Sequence, residues 1–315
     1  MKAIHLLLAV TLAAPVLQAE PAALQPWPAA ASPIATQAGM LAATHAGERI
    51  VAVGDHGVVL LSDDAGQSFR QASAVPVSSP LTSVSFINAQ TGWAVGHWGS
   101  VLLTEDGGEH WQVQRLTPED DRPLFAVHFF DQLDGVAVGL WSQVLTTRDG
   151  GRSWQQQSLP PPAGARRADL NLMGLFADQH GALYATAERG QLLRSTDRGL
   201  SWRYLDTGYS GTLWTGAALA DGRLLVGGQR GTLMLGSADG QHWQRLALPS
   251  VSSITAIAAR GRQVTVVGLD GLLARSDDGA RHFKLEPLTD GASLTAVLNV
   301  DSHPLLFSRR GVLLP

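Results

Sequence analysis

The chain of 315 residues has no cysteine, which excludes disulfides, thiolate-held metals and lipid attachment through an N-terminal cysteine. Beyond its first twenty residues it also lacks any run of about 18 consecutive apolar residues, so no membrane-spanning helix is expected. Neither sign of charge dominates: 23 Lys and Arg stand against 27 Asp and Glu, for a formal charge of -4 and a pI near 6.2. That balance gives no reason to expect a nucleic-acid partner. Aromatic residues make up only 6% of the chain, yet nine of them are tryptophan and three tyrosine. Where the tryptophans fall is therefore informative.

The opening "MKAIHLLLAVTLAAPVLQAEP" joins one lysine to an apolar run from Leu6 to Ala14 and a small residue, Ala19, where a signal peptidase could cut. Residues 1–19 are expected to be a signal peptide, and the mature protein a soluble, periplasmic one. Without disulfides it must cohere by core burial, for which roughly 300 residues suffice.

The clearest pattern is a repeated turn, S/T-x-D-x-G-x-x-W/F, at Ser62 to Phe69, Thr104 to Trp111, Thr147 to Trp154 and Ser195 to Trp202. Two weaker copies follow: "SADGQHW" at 237 to 243 is one residue short, and "SDDGARHF" at 276 to 283 has Ala280 in place of the glycine. The aspartates Asp64, Asp106, Asp149, Asp197, Asp239 and Asp278 are spaced 42, 43, 48, 42 and 39 residues apart. Seven β-rich runs recur at the same period, starting at Met40, Leu81, Leu124, Leu172, Leu213, Ile254 and Leu294. Short strands at a period of about 40 to 50 residues predict an all-β, seven-bladed propeller with four antiparallel strands per blade. Each aspartate is expected to accept bonds from backbone N–H groups of its own turn, with glycine supplying positive φ and the aromatic ring buried against the blade. These are Asp-boxes, and the six aspartates are read as structural.

The last unit stops one strand early, at "GVLLP". Residues 20–39 are expected to supply its missing outer strand, roughly from Leu24 to Thr36, closing a ring over residues 40–315 with no long unpaired edge. Ten histidines lack ligand spacing, so neither a metal nor another cofactor is expected.

In a propeller, the turns between second and third strands share a face with the loops joining successive blades. Here those turns read "GDHG", "GHWG", "GLWS", "AERG", "GQRG", "GLDG" and "SRRG". Their third positions are His56, Trp98, Trp141, Arg189, Arg230, Asp270 and Arg310; His97 precedes Trp98 and Arg309 precedes Arg310. The linking loop "SLPPPAGARRADL" adds Arg166 and Arg167, and another adds Arg122, preceded by acidic residues that could neutralise it. Tryptophan at hairpin tips calls for a reason, since such turns favour Asn, Asp and Gly. One reading packs Trp98 and Trp141 back over the central channel with the arginines merely solvated. The other makes these residues a partner-binding patch for an extended or acidic protein segment.

The six turn motifs, each preceded by G-x-x-G-x-V/L-L or a near variant, resemble the photosystem II stability/assembly-factor family of BNR-repeat propellers, and the likeness covers nearly all the mature chain. The resemblance implies a non-enzymatic factor that binds a membrane protein or membrane-complex subunit on the periplasmic or lumenal side, as a monomer and without inserting in the membrane. It would place that role on Arg189, Arg230, Arg309 and Arg310. The missing lipid-attachment cysteine and plastid-type targeting sequence favour a bacterial periplasm; a thylakoid lumen is expected only for a photosynthetic source. Two alternatives remain open from the residues. Sialidase-type glycoside hydrolases carry the same boxes, and Tyr209 with Glu188 could sketch such a site, although the flanking acid is unassigned. A carbohydrate-binding module could use Trp98 and Trp141 as stacking platforms.

Overall fold

The computed structural model describes residues 26–300 and 303–313; the expected signal peptide lies outside them. Seven antiparallel sheets follow one another along the chain, six of four strands and one of three. Within each, the strands hydrogen-bond in chain order. The innermost strands Met40–Ala46, Leu81–Phe86, Leu124–Phe129, Leu172–Ala177, Leu213–Ala218, Ile254–Arg260 and Leu294–Val300 each contact the next, and the last contacts the first. The protein is a seven-bladed β-propeller.

The second strands show why the sequence folds this way. Gly92–Gly96 (GWAVG) and Gly135–Gly139 (GVAVG) are buried at every position. A sheet with one wet face would alternate; these sheets are sandwiched between neighbouring blades, so both faces are apolar. Hydrophobic clusters fill the junctions one by one, from blades 1 and 2 around to blades 6 and 7. The cluster of Met40, Ile50, Leu60, Ala296, Leu305 and Phe307 closes the ring between blades 7 and 1. Threonines at the second position of inner strands tie blades together: Thr82 Oγ1 donates to Leu124 O (2.6 Å) and Thr255 Oγ1 to Leu294 O (2.7 Å). Thr295 Oγ1 does the same to Met40 O across the closure.

The closure corrects one expectation. Residues 26–36 form no strand, and the seventh blade, His303–Ser308 and Gly311–Leu313 outside Leu294–Val300, has three strands among the described residues. Pro26, Pro28 and Pro33 have no N–H to donate to a ladder. The segment instead laces along the outer edge of blade 1. Ala29 N–H bonds Val75 O, and the Gln71 side chain donates to Ala30 O and accepts from Ser32 N–H, each at 2.9 Å. It then makes a 3-10 turn, Ala35–Gln37, that packs on both Arg70–Gln71 and Gly311–Leu313. The fit is close: a Cβ on Gly311 would lie 1.9 Å from Thr36 O. Comparable approaches place Val77 O against Gly57 and Tyr209 O against Gly190, so Thr36 fills at blade 7 the seat that chain beyond the outer strand fills elsewhere.

The Asp-boxes form as expected. In the first, Asp64 Oδ1 accepts from Ser62 Oγ (2.8 Å) and Ser68 N–H (2.9 Å), while Ser62 Oγ accepts from Gly66 N–H (2.8 Å). The indole N–H of Trp111, Trp154, Trp202 and Trp243 each donates to a box glycine carbonyl, at 2.9 to 3.1 Å. In two boxes a histidine just before the closing aromatic replaces the serine hydroxyl on the second carboxylate oxygen: His110 Nδ1 lies 2.8 Å from Asp106 and His282 Nδ1 2.7 Å from Asp278. In the short fifth box, Asp239 accepts from Gln241 N–H instead, at 3.0 Å.

These bonds make stability depend on acid. The Ser68 hydroxyl and N–H hold Asp64 down to about 2, and Ser153 likewise lowers Asp149. A carboxylate whose folded pKa lies below its unfolded value of about 3.9 stabilises the fold above that value, and the contribution is lost as pH falls toward the folded pKa. His128, edge-on to Phe130 at 4.8 Å, is pushed down to about 4 by burial. Its unfolded form takes up a proton near pH 6.5, so it removes stability earlier on the same descent. Thermal melts from pH 7 to 2 are expected to fall in two stages, about 6.5 to 4 and about 4 to 2. His128→Phe should flatten the first stage and Asp64→Asn part of the second.

Candidate functional face

One hydrogen bond recurs in all seven blades and orients the candidate face. The first residue of each tip donates its N–H to the carbonyl just ahead of the innermost strand: Asp55 to Gly39 (2.8 Å), His97 to Pro80 (3.0 Å), Leu140 to Pro123 (3.2 Å) and Glu188 to Asn171 (3.3 Å). Gln229 to Thr212 (3.0 Å), Leu269 to Ser253 (2.9 Å) and Arg309 to Ser293 (3.3 Å) complete the set. Tips and linkers therefore share one face, and the Asp-boxes, at the other ends of the same strands, occupy the opposite one.

Six tips hold a non-glycine residue in the left-handed region: His56 (φ 57°), Trp98 (57°), Trp141 (52°), Arg189 (58°), Arg230 (55°) and Asp270 (54°). That conformation costs roughly 1–2 kcal/mol for a residue with a Cβ, so tryptophan and arginine there are retained against local preference. Blade 7 differs from the expected equivalence. Ser308 pairs with Gly311 across a two-residue turn, and the left-handed residue is Gly311 (φ 102°) rather than Arg310.

The two tip tryptophans part company. Trp141 is 63% exposed, its backbone N–H held by Asn171 Oδ1 at 3.0 Å, so it does not pack back into the propeller. Trp98 is half-buried, and its carbonyl accepts from Thr117 N–H at 2.8 Å. His56, His97, Arg166, Arg167, Arg189, Arg230, Arg309 and Arg310 are all exposed.

Ion pairs engage some arginines of each face. On the box face, Arg49 and Arg70 bridge Asp63 of blade 1 and Glu109 of blade 2. Arg198 of blade 4 reaches Asp131 and Asp134 of blade 3. On the tip face Arg122 is neutralised by Asp120 (2.5 Å) and Arg167 lies 3.4 Å from Asp169. Among the described residues, Arg189, Arg230, Arg309 and Arg310 make no ion pair. They do not form one cluster: Arg189 lines a hollow at blade 4 and Arg230 another at blade 5, while Asp270 of blade 6 separates both from Arg309 and Arg310. The long loop comes to Arg189, lining its hollow through Pro162 to Ala165.

Residues 71–191, from the outer strand of blade 1 into the third strand of blade 4, match the family model described as photosynthesis system II assembly factor YCF48. Over that span the chain is similar to the photosystem II assembly-factor family. No curated protein matches the sequence. Among solved structures it is similar to YCF48 bound to D1 peptide, at 20% identity and TM-score 0.72, with 88% of this chain and 92% of that chain covered. YCF48 from Cyanidioschyzon merolae aligns at 18% identity and TM-score 0.70, with 88% and 94% covered. Virginiamycin B lyase from Staphylococcus aureus aligns at 12% identity and TM-score 0.69, also with 88% and 94% covered. At such identities these likenesses concern the fold.

The family's match spans Trp98, Trp141, Arg166, Arg167 and Arg189 but stops short of Arg230, Arg309 and Arg310. In this propeller the residues of a sialidase-type site are engaged elsewhere. The Tyr209 phenol donates to Gln229 O at 3.0 Å. The Glu188 carboxylate accepts from Asn171, from its N–H at 2.9 Å and its side-chain amide at 3.2 Å. Both brace tips to linkers. Arg245 escaped the sequence reading because it sits on the outer strand Trp243–Leu246, after a box, and only the folded blade brings it to the hollow of Arg230.

Proposed function

We propose that this protein is a non-enzymatic, exported binding factor whose tip face docks a segment of a membrane protein during assembly. The observation that carries the reading is the set of unpaired, exposed arginines on that face, beside an exposed tryptophan. Arginine's planar fork suits carboxylates, and tryptophan supplies apolar contact at interface centres. A relative of the same fold is known bound to a D1 peptide, which supports a protein segment as the ligand class. The structural bonds of Tyr209 and Glu188 argue against hydrolysis. The apolar run from Leu6 to Ala14 followed by Ala19, which reads as a signal peptide, supports export to the periplasm.

A photo-crosslinking residue placed at Trp141 or Arg230 is expected to capture the partner in cells, and one placed at Asp277 or His282 on the box face is not. Capture from the box face alone would overturn the reading.

A further inference from the structure

We propose that the hollow between blades 4 and 5 is an oxyanion subsite in which Arg230 and Arg245 hold one anionic group together. This rests on the reading of the tip face as a docking face, and names where on it a partner's charge is received. The hollow has a volume of about 430 Å³ and is lined by Tyr209, Ser210, Gln229, Arg230, Thr232 and Arg245. No carboxylate lines it, and neither arginine has an ion pair among the described residues. Two cations in one recess repel each other, and a guest bearing negative charge relieves that repulsion. The Tyr209 ring forms a fixed wall, held by its bond to Gln229 O at 3.0 Å.

Register shows that the second arginine is particular to this blade. Arg245 lies opposite Met234, four residues beyond the tip residue Arg230. The same register is held by Gln71 in blade 1, Val113 in blade 2, Gln156 in blade 3, Tyr204 in blade 4 and Leu285 in blade 6. The neighbouring hollow of about 410 Å³ is lined by Arg189 together with Tyr204 and the acidic Asp206. It therefore opposes an anion where the blade 5 hollow attracts one. A pair of guanidinium forks takes a carboxylate or a phosphoryl group through charge-assisted bonds.

The test is a titration of the full protein with glutarate and, separately, with inorganic phosphate at low salt, following arginine Nε–Hε resonances by NMR. The Arg230 and Arg245 signals are expected to move together and saturate, and Arg245→Gln to weaken binding at least tenfold while Arg245→Lys weakens it less. Tighter glutarate binding would identify a carboxylate guest and tighter phosphate binding a phosphoryl guest; either supports the subsite. Signals that stay still, or move no more than that of exposed Arg166, would overturn it. If anions saturate the hollow but no protein segment binds the face, the docking reading fails and the subsite stands. If a segment binds with unchanged affinity to Arg245→Gln, the subsite fails and the docking reading stands.

Discussion

Replacing Arg189, Arg230, Arg309 and Arg310 together with glutamate is expected to lower affinity for the docked segment at least a hundredfold, without lowering the melting temperature appreciably. All four side chains are exposed and none is in an ion pair, so the fold loses no bonded partner when they change. For binding, each substitution deletes an attractive contact and installs a repulsive one toward an acidic segment. A hundredfold loss corresponds to about 2.7 kcal/mol, or roughly 0.7 kcal/mol per position, which is modest for charge-assisted contacts. Wild-type affinity should fall as salt is raised, because exposed charges are screened over about 10 Å at 0.1 M, and that of the variant should rise, because the same screening weakens the repulsion its glutamates install. Recovery of the partner by the variant at wild-type affinity would refute the arginine role. The same substitutions on the box face, at Arg49 and Arg70, should instead lower stability, because they strand Asp63 and Glu109.

The second large effect concerns the junction of blades 2 and 3. Trp93→Ala is expected to cost about 3–5 kcal/mol, the range for emptying a large aromatic site in a core. Trp93 is 1% exposed and stacks flat on Phe129, with centroids 3.5 Å apart. Phe129 in turn meets Trp154 edge-on at 5.9 Å, and the Trp93 indole N–H donates to Gly150 O at 3.0 Å. One side chain thus joins blade 2 to the inner strand and box of blade 3. Truncation leaves Phe129 with an empty face and Gly150 O without its donor. Urea denaturation at equilibrium should show a lower midpoint with an unchanged slope, whereas Trp27→Ala, at a residue 76% exposed, should stay within about 0.5 kcal/mol. A loss under 1 kcal/mol for Trp93→Ala would mean that the aromatic stack carries little of the junction.

The turn motif and its period specified the blades because everything they need is local. Ser62, Asp64, Gly66 and Ser68 bond to one another within seven residues, so eight letters of sequence contain the whole turn. The same locality made the tips legible: each is a four-residue turn with glycine at one or both ends, between two apolar runs. Locality also explains the failures. The closing segment reads as one more edge, but its fate depends on Gln71 and Gly311, which lie far from it in sequence, and on prolines that cannot join a ladder. Trp93 looked like any apolar residue of a second strand until Phe129 was found stacked on it.

For the candidate face, the chain by itself determined which residue types stand at the tips, since each tip is a turn closed within a single hairpin. Tertiary structure alone decided which arginines are free and which are spent. Arg198 and Arg230 are equally cationic on paper, yet one meets two aspartates from the preceding blade and the other shares a hollow with Arg245 and no acid. Ion pairing depends on distances of a few ångströms between residues that chain order separates by dozens of positions, and only the stacking of blades sets those distances.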